Sequence, residues 1–290
     1  EPQAESLRRL HWAIDEVPAL RDSKARSPEE LKVMQDALQG QFPTLTDFER
    51  DFPSLCFALA TGVGKTRLMG AFISYLHRAE GIRHFFVLAP NLTIYNKLIA
   101  DFTPNTPKYV FQGIAEFAVN PPEIITGDNY ETGRGVRDEA RLQGRLPGMT
   151  ADDAVHINIF NISKITSLET PKGAAKTTTP RLRRLQEYIG ESYFQYLSKL
   201  DDLVLIMDES HRYRASAGMK AIGELKPIIG LELTATPQVE KSGGNIPFKN
   251  VIYSYPLSSA MADGFVKEPA VATRENFDAS NYDEAGLERL

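Results

Sequence analysis

The stretch Ala60-Thr61-Gly62-Val63-Gly64-Lys65-Thr66 restricts the fold of this chain more than any other. It follows an apolar run, Leu55-Cys56-Phe57-Ala58-Leu59, and precedes a helical pattern over residues 67–76. Strand, glycine turn and helix, in that order, form the context of a phosphate-binding loop. Two glycines allow backbone angles that turn successive N–H groups inward, and the start of the helix adds the positive end of its dipole. The expected ligand is ATP, with Thr61, Gly62, Val63, Gly64, Lys65, Thr66 and Arg67 around its phosphates. Lys65 is placed to reach the β- and γ-phosphates, and the Thr66 hydroxyl to bind Mg2+. The strict form of the motif has glycine five positions before its second glycine, and Leu59 stands there instead. A glycine-rich turn ahead of an ordinary helix would share Gly62 and Gly64; the Lys-Thr pair that follows separates the two readings.

The remaining apolar runs alternate with helical patterns. His84-Phe85-Phe86-Val87-Leu88-Ala89 reads as a strand buried on both faces, Pro90-Asn91 breaks it, and residues 92–102 read as a helix. Further strands are expected at 155–160, 203–207, 230–233 and 251–253, with a short one at 109–112. Strands alternating with helices at this spacing imply an α/β fold with a central, mainly parallel sheet and helices on both faces. With 290 residues, 42% of them hydrophobic, one large core is within reach. Ahead of the loop, residues 6–15 read as a helix, and Ser27-Pro28-Glu29-Glu30 is a capping box that opens a second, stopped by Gly40. Gln3 is either an adenine-reading glutamine or an exposed polar residue. Residues 113–154, rich in Gly, Pro and charge, read as an insertion. A helix there would carry Arg137, Arg141 and Arg145 as one stripe, either a solvated face or a contact to a nucleic-acid backbone. Residues 172–179 are low in complexity, and 181–200 show a helical pattern through Leu182, Leu185, Ile189, Phe194 and Leu197.

Several classes are excluded. No apolar run approaches the ~20 residues that a membrane helix needs. The single cysteine, Cys56, rules out an internal disulfide framework and suits a reducing cytoplasm. The sequence begins at Glu1 without a signal-peptide pattern and reads as a fragment or a processed form. A net charge of −5 means that any nucleic-acid contact comes from local patches or from regions beyond this sequence.

Directly after the strand at 203–207 comes Asp208-Glu209-Ser210-His211, about 140 residues past the phosphate loop. Carboxylates just past the carboxyl end of a parallel strand lie where such sheets hold ligands. Asp208 is expected to hold Mg2+, directly or through water, and Glu209 to polarise the attacking water as general base. His211 is either a relay or a locally packed histidine. One strand later, Thr234-Ala235-Thr236 offers two hydroxyls at the same end of the sheet, able to bond the acid loop and pass on a change at the γ-phosphate.

In this order, Ala60-Thr61-Gly62-Val63-Gly64-Lys65-Thr66, Ala89-Pro90-Asn91, Asp208-Glu209-Ser210-His211 and Thr234-Ala235-Thr236 resemble the first motor lobe of a superfamily 2 helicase. The run 190–237 is similar, more narrowly, to the restriction subunit of type III restriction enzymes. It includes Ser192-Tyr193-Phe194, Met207-Asp208-Glu209-Ser210-His211-Arg212-Tyr213-Arg214-Ala215 and Leu231-Glu232-Leu233-Thr234-Ala235-Thr236-Pro237. Tyr255-Pro256-Leu257 and the run from Asp263-Gly264 to Pro269 resemble the passage into a second lobe. The resemblance covers most of residues 50–275. It implies a RecA-like three-layer P-loop NTPase domain that uses ATP and Mg2+, with DNA touched by Pro90, Asn91, Asn161 and Lys164. It also implies a methyltransferase (modification) subunit as a possible partner, and endonuclease activity supplied by regions absent here.

The expected layout is N-terminal helices over 1–45, an ATP-binding lobe over 46–260 with the insertion at 113–154, and a linker over 261–290. Only residues 265–290 follow Asp263-Gly264, too few for a second lobe, so this chain alone is expected to bind nucleotide but hydrolyse it poorly. Two alternatives stand beside the restriction motor: a stand-alone DNA helicase or translocase, and a nucleotide-gated binding module.

Overall fold

The apolar runs assemble into one seven-stranded parallel sheet. The computed structural model describes residues 2–22, 26–130, 154–165, 182, 185–186, 191–214, 216–241 and 244–267. Helices α1 (Pro2–Glu16), α2 (Ala19–Asp22) and α3 (Pro28–Gln39) come first, then β1 (Ser54–Leu59), α4 (Lys65–Glu80), β2 (His84–Ala89) and α5 (Leu92–Phe102). Next come α6 (Ala115–Val119), β3 (Glu123–Thr126), β4 (His156–Asn161), a two-stranded ribbon of β5 (Leu185–Gln186) and β6 (Glu191–Ser192), α7 (Tyr193–Lys199) and β7 (Leu203–Asp208). The described chain closes with α8 (Ser216–Gly223), β8 (Ile229–Thr234), a ribbon of β9 (Gln238–Lys241) and β10 (Gly244–Pro247), β11 (Val251–Tyr255) and α9 (Leu257–Ala262). Among the described residues, no helix is long and apolar enough to cross a membrane.

The strand order is β11-β1-β8-β7-β2-β4-β3. Because all seven run the same way, their carboxyl ends share one rim, and β8 separates β1 from β7 by a single strand. Side chains alternate between the two faces of a sheet. On one face Phe57, Val87, Ile206 and Leu231 join a core shared with Leu10 and Ile14 of α1, Leu68 and Phe72 of α4, and Leu98 of α5. On the other, Phe86, Leu205 and Met207 pack on Tyr193 and Leu197 of α7 and Ile222 of α8. These are the three layers expected.

The local signals at the N-terminus also hold. Ser27 accepts the Glu30 N–H at 3.2 Å and Glu30 accepts the Ser27 N–H at 2.7 Å, so the capping box forms. Gly40 caps α3 in an ordinary right-handed conformation, φ −56°.

Three expectations fail. Residues 109–112 form turns, not a strand: the Val110 N–H bonds the Asp101 carbonyl at the end of α5, and Tyr109 bonds back to Thr106. Residues 113–130 are tied to the core and do not stand apart from it as an insertion. Phe117 is buried there and β3 pairs with β4 as the sheet's edge. The rest of that segment, Arg137, Arg141 and Arg145 included, lies outside the described residues, as do residues 172–179. Of the helix expected over 181–200, the described residues show α7, which a capping box of Ser192 and Gln195 starts at Tyr193. Leu185 lies in the β5–β6 ribbon instead, and Ile189 is outside the described residues.

Over β1 and β8 the second face differs in kind. By alternation it carries Ser54, Cys56, Ala58, Gly230, Glu232 and Thr234, all buried and none large and apolar. Gly230 permits close approach here, since a Cβ would lie 2.7 Å from the Phe52 ring. Glu232 is fully buried and accepts from Arg50 Nε at 2.8 Å, Ser54 Oγ at 2.7 Å, Arg214 Nη2 at 2.8 Å and Asn250 Nδ2 at 3.0 Å. Burial pushes its carboxyl up, but Arg50 and Arg214 overcome this and hold it at about 2.

This depression gives a testable pH dependence. The folded-state value lies below the unfolded one, so the stabilisation is complete above about pH 4.5 and disappears as pH falls through about 2. Glu232→Gln is therefore expected to flatten the loss of stability across that window by about 1.4 kcal/mol per pH unit, read from urea melts. Equal slopes in both proteins would refute the pairing.

Candidate functional site

The site begins where β1 ends. Ala60 N–H bonds the Tyr255 carbonyl at 2.9 Å, which fixes the chain as it leaves the sheet. Gly62 and Gly64 then take left-handed angles, φ 88° and 89°, which residues with a Cβ rarely adopt. Gly64 caps α4 with no side-chain bond, so the first N–H groups of that helix face the loop's concavity. The Gln3 side-chain amide donates to the Val63 carbonyl, bracing α1 against the loop. Gln3 is half-buried there, not freely exposed.

Lys65 is the first residue of α4. Its Nζ lies 3.2 Å from Glu209 Oε1 and 3.4 Å from the Leu59 carbonyl, with the side chain only 10% exposed. The phosphate loop and the acid pair therefore converge at one rim across β8. Thr66 Oγ1 accepts from Lys97 Nζ at 3.5 Å. Lys97, on α5, did not stand out in the sequence; its one signal is a lysine one turn into the helix that follows β2. Arg67 is exposed, and its guanidinium bonds the Gln112 carbonyl at 3.3 Å instead of folding over the loop.

Asp208 ends β7 and is buried. Burial raises its carboxyl to about 6, with Glu209 adding to the rise and Lys65 and Lys97 opposing it. Glu209 follows at φ 49°, ψ 54°, left-handed for a residue with a Cβ, and opens a 3-10 turn, Ser210–Tyr213. His211 Nδ1 lies 2.9 Å from Thr234 Oγ1 and 3.6 Å from Glu209 Oε2. The Thr234 hydroxyl donates to the Thr236 carbonyl at 3.2 Å and accepts the Thr236 N–H at 3.0 Å. A hydroxyl has one hydrogen, so these bonds are met together when His211 Nδ1 carries the proton. His211, Thr234 and Thr236 are thus joined as one chain beginning at Glu209.

The expected DNA contacts fall elsewhere on the same rim, after β2 and β4, where Ala89 pairs with Asn161. Asn91 Oδ1 caps α5 by accepting the Ile94 N–H at 2.9 Å, and the buried Asn161 accepts the Ser163 N–H at 2.9 Å. Both side chains are engaged locally. Pro90 is half-buried and Lys164 is exposed.

A hydroxyl and a carboxylate are the hard oxygen donors that Mg2+ takes when it is shared with phosphates. Among the described residues, no group of three or more His, Cys, Asp or Glu side chains could hold a metal ion alone. The carboxyl of Asp208, raised by burial and a neighbouring acid, is a site that a cation would relieve.

Seven parallel strands between two helical layers, with a glycine turn at a helix start facing an acid pair across one intervening strand, define a RecA-like α/β domain. The family model for the type III restriction enzyme res subunit matches residues 1–239, and the chain belongs to that family. Two solved structures are similar in part. A Sulfolobus solfataricus SWI2/SNF2 ATPase core in complex with dsDNA is 16% identical at a TM-score of 0.36, over 74% of this chain and 33% of that one. A nuclease-deletion mutant of the Type ISP restriction-modification enzyme LlaGI in complex with a DNA substrate mimic is 17% identical at a TM-score of 0.45, over 80% and 18%. The chain thus spans a third or less of either protein's length. No curated protein matches it.

Proposed function

We propose that this chain is the ATP-binding and hydrolysing motor lobe of a DNA translocase, the restriction subunit of a type III restriction-modification enzyme. Its movement along DNA would serve cleavage by regions beyond residue 290, in partnership with a methyltransferase subunit. The observation that carries the reading is the 3.2 Å approach of Lys65 to Glu209 at the sheet's carboxyl rim. A cradle and an acid pair serve one triphosphate only if they meet.

Each residue has a role. The N–H groups around Gly62 and Gly64 hold the phosphates, and Lys65 neutralises the charge that builds on them. Thr66 and Asp208 would hold Mg2+, which would supply electrostatic stabilisation at the phosphate oxygens. Glu209 orients and deprotonates the attacking water. Glu209 is paired to Lys65 at 3.2 Å, and a triphosphate that draws Lys65 towards it would release the base. The chain from His211 through Thr234 to Thr236 passes that release to the ribbon after β8. Pro90, Asn91, Asn161 and Lys164 mark the DNA side of the rim, chiefly through backbone groups and Lys164, since both asparagine side chains cap turns. Residues 1–45 act as a bracket on the lobe, and 261–290 lead towards a second lobe.

The test is the ATPase rate of the full-length protein with and without unmodified duplex DNA. Hydrolysis stimulated by DNA is expected. ATP binding with no hydrolysis under either condition would overturn the motor and leave a nucleotide-gated binding module. Stimulated hydrolysis without any cleavage of DNA would leave a stand-alone translocase.

A further inference from the structure

Glu209 has an improbable backbone. Left-handed angles in a residue with a Cβ persist where the surroundings over-determine them. Upstream the chain is fixed, because β7 is bonded on both sides, by β2 and by β8. Downstream, the turn is pinned at three places. His211 meets Thr234, Tyr213 OH donates to the Leu88 carbonyl at 2.9 Å, and Arg214 donates to Glu232 and Glu49 at 2.8 Å each. Glu232 and Thr234 stand two residues apart on β8 and so share a face. One face of one strand therefore holds the acid turn by two of its residues.

The charged pin reaches further. Glu232 also binds Arg50 and Ser54, and Ser54 is the first residue of β1, the strand that delivers the phosphate loop. Glu49, Arg214, Glu232 and Arg50 form a line of alternating charges from the acid turn to that strand. Phe248 lies under the Arg214 guanidinium, 3.8 Å from ring centroid to Cζ. Buried ion networks are poor stabilisers: apolar residues of similar volume are often as good or better. What they supply is direction, because charge-assisted forked bonds fix both ends.

We propose that Arg214 and Glu232 are positioning residues that set where Glu209 stands relative to the phosphate loop. The proposal rests on Glu209 being the base, and the experiment separates the two. In the full-length protein, Arg214→Met combined with Glu232→Leu replaces the charged pair with apolar bulk. ATP turnover is expected to fall about tenfold to hundredfold, the scale of a misplacement near 1 Å. The Kd for a non-hydrolysable ATP analogue should stay within about twofold of wild type, because the cradle's backbone is untouched. Arg214→Lys, which keeps the charge without the fork, should recover part of the loss. Glu232→Gln, closer to the native shape, serves if the double variant does not fold.

The deciding measurement is the same pair of changes in a Glu209→Gln background. A group that acts through Glu209 has nothing left to position there, so no further loss of turnover is expected. Wild-type turnover in a folded double variant, a parallel loss of analogue binding, or an equal further loss in the Glu209→Gln background would each overturn the proposal. Full turnover in Glu209→Gln alone would overturn the catalytic reading itself.

Discussion

Glu209→Gln lowers ATP turnover in the full-length protein by about 10²–10⁴-fold, the range for removing a general base. The amide keeps the shape and one acceptor oxygen but cannot take a proton from water at neutral pH. The geometry adds a second expectation that a simple loss of function would not. Glu209 Oε1 is 3.2 Å from Lys65 Nζ, a pair that must open before Lys65 can serve the phosphates. An amide holds the ammonium less strongly than a carboxylate, so nucleotide affinity in Glu209→Gln should equal or exceed that of wild type. The side chains of the pair are only 10% and 22% exposed, too little for solvent to screen the interaction fully, so the amide is also expected to lower the melting temperature. The measurements are single-turnover hydrolysis and equilibrium binding of a fluorescent ATP analogue, on the same preparations. Unchanged turnover would remove Glu209 as base. Weakened binding with unchanged chemistry would make the carboxylate part of the nucleotide's own site.

Local chemistry was legible in the sequence and long-range pairing was not. The bounds of β2 and α5 follow from one apolar run, the Pro90-Asn91 break and the Asn91 cap, all written within twenty residues. Likewise the acid pair stands out because it ends an apolar run. Strand β3 escaped for the opposite reason. It has four residues, only half of them buried, in a segment rich in glycine and charge. Its membership of the sheet depends on β4, more than twenty residues later and past a segment outside the described residues. The helical apolar period read from 181 onward runs through Leu185, which the fold places in a ribbon, and the helix described there starts at Tyr193 from the capping box of Ser192 with Gln195. Glu232 is the instructive miss. The run Ile229-Gly230-Leu231-Glu232-Leu233-Thr234 alternates strictly, yet it forms a strand buried on both faces. A carboxylate in such a place requires a cation beside it. Read as an alternating strand with one face in solvent, the run announces no such need, and the partners that meet it lie 182 and 18 positions away, at Arg50 and Arg214.

Lys65→Ala should have the largest effect. The variant keeps Gly62 and Gly64, and with them the backbone cradle, but removes the ammonium that reaches Glu209 across β8. A hydrogen bond to a charged group contributes about 1.5–3 kcal/mol, so binding alone should weaken about 10–100-fold. Charge then builds on the phosphate oxygens during transfer, and losing a donor aimed at it costs about a further 10²–10³ in rate. Together these put kcat/KM about 10³–10⁵ below wild type, with binding too weak to register at ordinary ATP concentrations. Lys65→Arg separates charge from shape. Its longer, planar fork keeps the positive charge but does not fit a cradle built for a compact ammonium, so binding should return in part and turnover should not. Cooperative melting in both variants is required, so that the losses are read on folded protein. If Lys65→Ala binds and hydrolyses ATP within a few-fold of wild type, the phosphate loop is a glycine turn and the acid pair across β8 serves some other ligand.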